Sequence, residues 1–169
     1  RLASSSWDRR VGLWDVPNRQ SIRFFKGHEG PVNAAEFHPT QPRLYSAGGD
    51  GHIRLWNLDT GEYVRSIIKN GFGVNVMALS AELNVLAYGG SNGVMKSVSL
   101  DESGPVIDLW VGGPPVLAIA IEPQSEKMAF GTAEGRVVIA DASVGEIQHD
   151  FHAVKGPIWA MQLGENAES

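Results

Sequence analysis

Apolar residues in this chain recur at a spacing of two rather than 3.6. Short runs of Val, Ile, Leu, Ala, Phe and Tyr alternate with polar positions and are broken by Gly, Pro, Asn and Asp. That is the pattern of many short antiparallel strands, and helical periodicity is weak from end to end. Over residues 31–72 the pattern predicts strands at "VNAAEF", "RLYSAG", "HIRLWNL" and "EYVRSII", joined by turns at "HPTQP", "GDG" and "DTG". Asp-Gly and Thr-Gly supply the positive-φ residues that tight hairpins require.

The same pattern returns about every 42 residues, a length in the range of four-stranded repeats. Val32 matches Val74, Val116 and Ile158, while Phe37 matches Leu79, Ile121 and Leu163. The turn series "WDRR", "GDGH", "SNGV" and "AEGR" keeps that phase, as do "GPVNAAEF" and "GPIWAMQL". The expected division is strands two to four of a first unit at 1–30, then units at 31–72, 73–114 and 115–156. Residues 157–169 are expected to form the first strand of a further unit or a ring-closing strand. A four-stranded sheet with two apolar faces cannot bury itself alone, so such units must stack on neighbours.

Composition removes several kinds of chemistry. The net charge of −5, with no Lys/Arg run beyond "WDRR", disfavours nucleic acid. With no cysteine, the chain has no disulfide, no thiolate zinc site, no Cys nucleophile and no covalent haem attachment. No apolar run approaches the length of a membrane span, so direct insertion is not expected. The sequence opens at Arg1 inside the strand-like "RLASSS", and its natural start is expected upstream.

"GH" at 27–28, "LYSAGGDGHIRLWNLDTG" and "LASSSWDRRVGLWDV", with a literal Trp14-Asp15, resemble WD-repeat blades. The first two units match well, and the third and fourth only in register and turns. The resemblance implies an all-β propeller of four-stranded antiparallel blades, about four of them present here, from a seven-bladed ring. It also implies a hydrogen-bonded tetrad of His28, Ser46, Asp50 and Trp56, with Ser4, Asp8 and Trp14 as its first-unit counterparts. In the later units the Ser position becomes Tyr88 and Phe130, the Asp position Asn92 and Glu134, and the Trp position Val98 and Ala140. Loss of both partners together suits a structural role, because removing only one side of a buried pair is costly.

Ser46, His28 and Asp50 are also the residue types of a hydrolase triad. That alternative needs an exposed hydroxyl and an oxyanion hole, and no nucleophile elbow or Gly-rich oxyanion loop adjoins Ser46. His52, outside the tetrad, reads as an exposed strand residue. His149 and His152 beside Asp150 are too few, and too poorly placed by strand alternation, for a metal site. No metal or cofactor is expected.

Both ends of the chain fall in the same turn of the repeat, so "PIWAMQL" has the phase to complete the first unit. Ser4, Asp8 and Trp14 call for a His, however, and closure would place Val154 there. The expectation is therefore part of a larger propeller. By resemblance the chain is a non-catalytic scaffold that binds other proteins by its face or rim, as a subunit of a larger assembly. Two positions per blade commonly line the binding face in that family: Asn33, Asn75, Leu117 and Trp159, and Trp7, Gly49, Ser91 and Ala133. Trp7 and Trp159 are the strongest candidates, since exposed aromatics anchor interfaces. Trp110 is expected to pack in an outer strand. "GVNVMALSAELNVLAYGG", "PVLAIAIEP" and "DFHAVKGPIWAM" also resemble bacterial propellers attached to c-type cytochrome domains. That finer resemblance implies a periplasmic electron-transfer module, against a cytoplasmic location otherwise.

Overall fold

The computed structural model describes residues 1–101 and 104–164, and every regular element among them is a β-strand. The first sheet holds β1 (Leu2–Ser5), β2 (Arg10–Asp15) and β3 (Gln20–Lys26) in that order. The second runs β4 (Val32–Phe37), β5 (Arg43–Gly48), β6 (His52–Asn57) and β7 (Tyr63–Lys69). The third is β8 (Val74–Ser80), β9 (Val85–Gly90), β10 (Met95–Ser99) and β11 (Ile107–Trp110). The fourth is β12 (Val116–Glu122), β13 (Lys127–Thr132), β14 (Arg136–Asp141) and β15 (Ile147–His152). Each strand pairs with its sequence neighbour, as turns of a few residues dictate. The fold is thus all-β, a series of antiparallel blades of the β-propeller class.

The chain divides into two compact units, 1–77 and 78–169, with the boundary inside β8. In the first unit Val11, Leu13 and Phe25 of one sheet pack with Val32, Leu44 and Trp56 of the next. The Phe25 and Trp56 ring centroids lie 5.4 Å apart. Inner strands β5 and β6 are buried at nearly every position, so polar–apolar alternation fades there. The outer strands β3 and β7 face water along most of their length and carry the Ser, Arg and Lys residues.

In the second unit Leu86, Tyr88, Met95, Met128, Phe130 and Val138 are buried. Trp110 of β11 meets Phe130 edge-on with ring centroids 5.9 Å apart, and the Arg136 guanidinium lies over the indole ring, 5.0 Å from its centroid. The expected packing of Trp110 in an outer strand is what the sheet shows. Arg136 is in turn held by Asp150 of β15 at 2.5 Å.

The repeat is written into the backbone. Arg9, Gly51, Gly93 and Gly135, spaced 42 apart, all take positive φ, between 70° and 83°, in the turn between the first two strands of a unit's central hairpin. Arg19, Gly61 and Gly145 repeat this at the next turn. The innermost strands also share a bulge. Val32 pairs with Gly48 and Ala34 with Ala47, leaving Asn33 unpaired. Leu117 is left out in the same way between Val116 and Ala118. A bulged residue re-aims its side chain, so these positions leave the pleat of their strands.

Residues 157–164 carry no ladder, unlike the strand expected at "PIWAMQL". Ile158 N–H nevertheless donates to Thr132 O at 3.1 Å, as Val32 N–H donates to Ser6 O at 3.0 Å three repeats earlier. The segment thus enters at the repeat position, and what it lacks is a paired strand. The rest of the expected segment, 165–169, lies outside the described residues.

The turn at Gly51 makes a sharp demand. Its φ is +78°, and an added Cβ would stand 3.0 Å from the Phe72 carbonyl oxygen. Gly51→Ala should therefore cost about 1–2 kcal/mol from the left-handed backbone alone, read as a lower urea midpoint. An unchanged midpoint would contradict this account of the turn.

Candidate functional site

Ser46 sits in mid-β5, and Trp56 near the end of β6 pairs with Leu44, two residues from Ser46. Residues two apart share a sheet face, so the indole of Trp56 lies diagonally from the Ser46 hydroxyl. His28 enters from the segment before β4, after Gly27, and Asp50 occupies the β5–β6 turn. These four meet. Trp56 Nε1–H donates to Ser46 Oγ at 2.8 Å, and Ser46 Oγ lies 2.8 Å from His28 Nε2. His28 Nδ1 lies 2.9 and 3.0 Å from the two oxygens of Asp50.

Only one proton arrangement satisfies all of these groups with a neutral imidazole. Indole N–H can only donate, so the Ser46 oxygen accepts from it, and the Ser46 O–H then donates to His28 Nε2. His28 Nδ1–H donates to the Asp50 carboxylate. Burial holds the His28 pKa below its ordinary value, outweighing the pull of the Asp50 carboxylate in the other direction. Burial works against ionising Asp50, but the Glu29 amide, the His28 ring and the His52 amide hold its carboxyl below the usual range. The neutral imidazole and charged carboxylate are thus the pair this pocket favours.

Asp50 is the most heavily bonded member. Its oxygens also accept from Glu29 N–H at 2.9 Å, His52 N–H at 3.2 Å and Arg54 Nη2 at 3.1 Å. Sequence reasoning passed over Arg54, whose signal is its place four residues after Asp50, on the strand that leaves the turn. Nor is His52 the exposed strand residue expected. It is half-buried, and its Nδ1 lies 2.8 Å from Ser66 Oγ on the adjoining strand, β7.

The arrangement resembles a hydrolase triad in order but not in access. Ser46 is 0% exposed, and its oxygen is occupied by Trp56. A nucleophile must reach its substrate's electrophilic carbon, and this hydroxyl has no open side. Gly48 adds to the closure: a Cβ there would lie 2.5 Å from His28 Nδ1 and 2.7 Å from Asp50 Oδ1.

The first-unit counterparts assemble only in part. Trp14 Nε1–H donates to Ser4 Oγ at 2.9 Å, repeating the Trp56–Ser46 bond. Asp8, by contrast, is exposed and bound by Arg10 at 2.5 and 2.8 Å, so it joins no tetrad here. In the second unit Tyr88, Phe130, Val98 and Ala140 are buried in place of the polar residues. Burial and the nearby Asp108 carboxylate push the Tyr88 phenol up to about 12.

Of the binding-face candidates, Trp7 and Trp159 are 84% and 71% exposed. Asn33 is exposed, with its Nδ2 donating to Val74 O at 2.8 Å, and Ser91 is exposed. Asn75 and Leu117 are half-buried. His149 and His152 pair with Ile139 and Arg136 respectively along β15, and both are exposed. The described residues hold no group of three or more His, Cys, Asp and Glu placed to bind a metal ion.

Two measurements test the network. Ser46→Ala leaves the buried His28 Nε2 and Trp56 N–H without partners, so stability should fall by about 2–4 kcal/mol in urea unfolding. A loss under about 0.5 kcal/mol, the range of ordinary surface changes, would show that the network does not hold the fold. Acid should also destabilise the protein. His28 is harder to protonate folded than unfolded, so stability declines as pH falls below about 6.5, and Asp50 adds a second loss below about 3.8. His38 shifts in the same direction, through burial and then Arg43, so the His28 share is the slope that His28→Gln removes between pH 7 and 5. Equal slopes in both proteins would contradict it.

Residues 19–57, from β3 through β6, match the family described as WD domain, G-beta repeat. Among curated proteins, the guanine nucleotide-binding protein subunit beta-like protein of Encephalitozoon cuniculi is 24% identical over 163 residues, covering 82% of this chain and 48% of that protein. WD repeat-containing protein SL1-17 of Schistosoma mansoni is 26% identical over 155 residues, covering 90% of this chain and 52% of that protein. The chain thus spans about half the length of these relatives. The crystal structure of the computationally designed Ika8 protein superposes with a TM-score of 0.83 at 21% identity, over 97% of this chain and 50% of that one, a likeness of fold. Residues 19–57 thus match one WD-domain repeat, and along most of its length the chain is similar to WD-repeat proteins, whose propeller fold its blades share.

Proposed function

We propose that the chain is a protein-interaction scaffold, a docking part of a larger assembly, and that Trp7 and Trp159 are its principal contacts. WD-repeat proteins are generally scaffolds of this kind. The observation that carries the reading is how the side chains are divided. The groups with catalytic character, Ser46, His28 and Asp50, are spent on one another inside the first unit, while Trp7 and Trp159 stand 84% and 71% exposed. Large aromatics left in water are costly to a lone fold and serve well as interface anchors.

Asn33 and Asn75 in the first compact unit, and Ser91 and Leu117 in the second, occupy repeat-equivalent places and would each add a polar or apolar contact within their own unit. The bulges that leave Asn33 and Leu117 out of their ladders support this role, because a bulge re-aims the side chain away from the regular pleat. A hydrolase built on Ser46 has no support in the relatives, nor has a cytochrome-linked electron-transfer module.

Affinity capture followed by mass spectrometry, run on the wild-type chain and on Trp7→Ala and Trp159→Ala, tests the reading. Each variant should lose partners that the wild type retains, with circular dichroism and melting temperature unchanged. Truncating an anchor of this type weakens an interface by about 2 kcal/mol or more, some thirtyfold in Kd. Identical partner sets in all three proteins would refute the scaffold assignment of these residues.

A further inference from the structure

The turn between β1 and β2, "SWDRR" at 6–10, departs from its three repeats in two ways at once. Trp7 stands where the others place Gly49, Ser91 and Ala133, and its indole is 84% exposed. Arg9 stands where the others place Gly51, Gly93 and Gly135, and takes φ of +70°. Three repeats relieve this left-handed position with glycine, whereas here a long cation occupies it against the steric preference of an L-residue. The hairpin requires the left-handed backbone at this position, but it requires neither an arginine there nor the exposed indole.

The charges around the turn are unevenly matched. Asp8 is taken up by Arg10, which binds it through Nε at 2.8 Å and Nη2 at 2.5 Å while stacking 4.9 Å from the Phe24 ring centroid. Lys26 pairs with Arg10 across β2 and β3, so its exposed ammonium lies on the same end of the sheet. Among the described residues Arg9 and Lys26 form no ion pair; Arg9 lies two residues from the exposed Trp7, Lys26 at the same end of the sheet, and the exposed Glu29 follows Lys26 in the connection to β4. Val32 N–H donates to Ser6 O, which brings the exposed Pro31 and Asn33 alongside the same turn. At the opposite end of the sheet Arg19 also takes positive φ, at 54°, but its turn, "VPNR", presents no aromatic.

We propose that the Trp7–Arg9 turn is the docking site for an acidic linear peptide segment of a partner protein, an inference that rests on the scaffold reading and names its ligand. A carboxylate of the peptide pairs with the Arg9 guanidinium, whose planar fork matches carboxylate geometry, and with Lys26. An adjacent apolar side chain lies on the Trp7 indole, which supplies buried area at little entropic cost. Two unpaired cations, Arg9 and Lys26, against the one carboxylate of Glu29 suit a short acidic segment. They are too few for a phosphate polymer, which the chain's net charge of −5 would also repel.

The test is to pan a random peptide library displayed on phage against the whole chain and to titrate synthesised hits by fluorescence anisotropy. Hits should carry Asp or Glu next to Leu, Ile or Phe, and should bind less tightly as salt is raised. Trp7→Ala should raise their Kd about tenfold or more, and Arg9→Gly about fivefold, without lowering the melting temperature because glycine suits the turn. A structural residue would instead lower melting temperature when replaced. Basic or uncharged hits overturn the proposal, as do acidic hits with unchanged Kd in both variants. If such hits are lost instead in Trp159→Ala, the scaffold reading stands and this site falls; a library yielding no hits counts against both.

Discussion

One hydroxyl joins the two kinds of order in the first unit. Ser46 accepts from Trp56 and donates to His28, which passes the direction on to Asp50. The same Trp56 ring is part of the apolar core shared by the first two sheets, against Phe25. Pulling the ring away would break a hydrogen bond and open a cavity together. That coupling ties strand register in β4–β6 to the packing of one sheet on the next.

The network also explains why Ser, His and Asp in this order do not make a reactive centre. Triad chemistry depends on a hydroxyl whose proton leaves as its oxygen attacks. Here the oxygen is already capped by an indole and the serine has no exposed surface. Asp50 is similarly overcommitted, accepting from two backbone amides and Arg54 besides the imidazole. Such full satisfaction favours rigidity over reactivity. The later repeats support this reading from the other side, since buried Phe130 and Ala140 replace the serine and tryptophan positions as a pair. A wholly apolar solution serves the same architectural purpose.

Much of this was legible in the residues. Strand positions, the repeat length and the Gly51, Gly93 and Gly135 turns follow from alternation and turn chemistry, because both are local properties. The meeting of His28, Ser46, Asp50 and Trp56 was legible through resemblance to a known repeat. Less legible was everything set by a neighbour's reach. Asp8 looked like a tetrad member, yet Arg10 two residues away binds it, a local ion pair that wins where no imidazole arrives. His52 looked exposed, yet Ser66 on the adjoining strand engages it. Arg54 was overlooked because its guanidinium reaches back from β6 to Asp50 in the preceding turn, a contact that strand alternation does not signal.

By itself, then, the chain's pattern determined an all-β repeat of antiparallel sheets, since a period of two and glycine at fixed intervals leave few other ways to bury the apolar faces. Tertiary structure decided the rest: which polar groups are consumed inside and which remain outside. The residue types of Ser46 and Trp7 do not by themselves fix whether either is buried or bare. Stacking of one sheet on another seals the first, while the outward β1–β2 turn leaves the second in water, and burial of that kind is a property of the neighbours rather than of the residue.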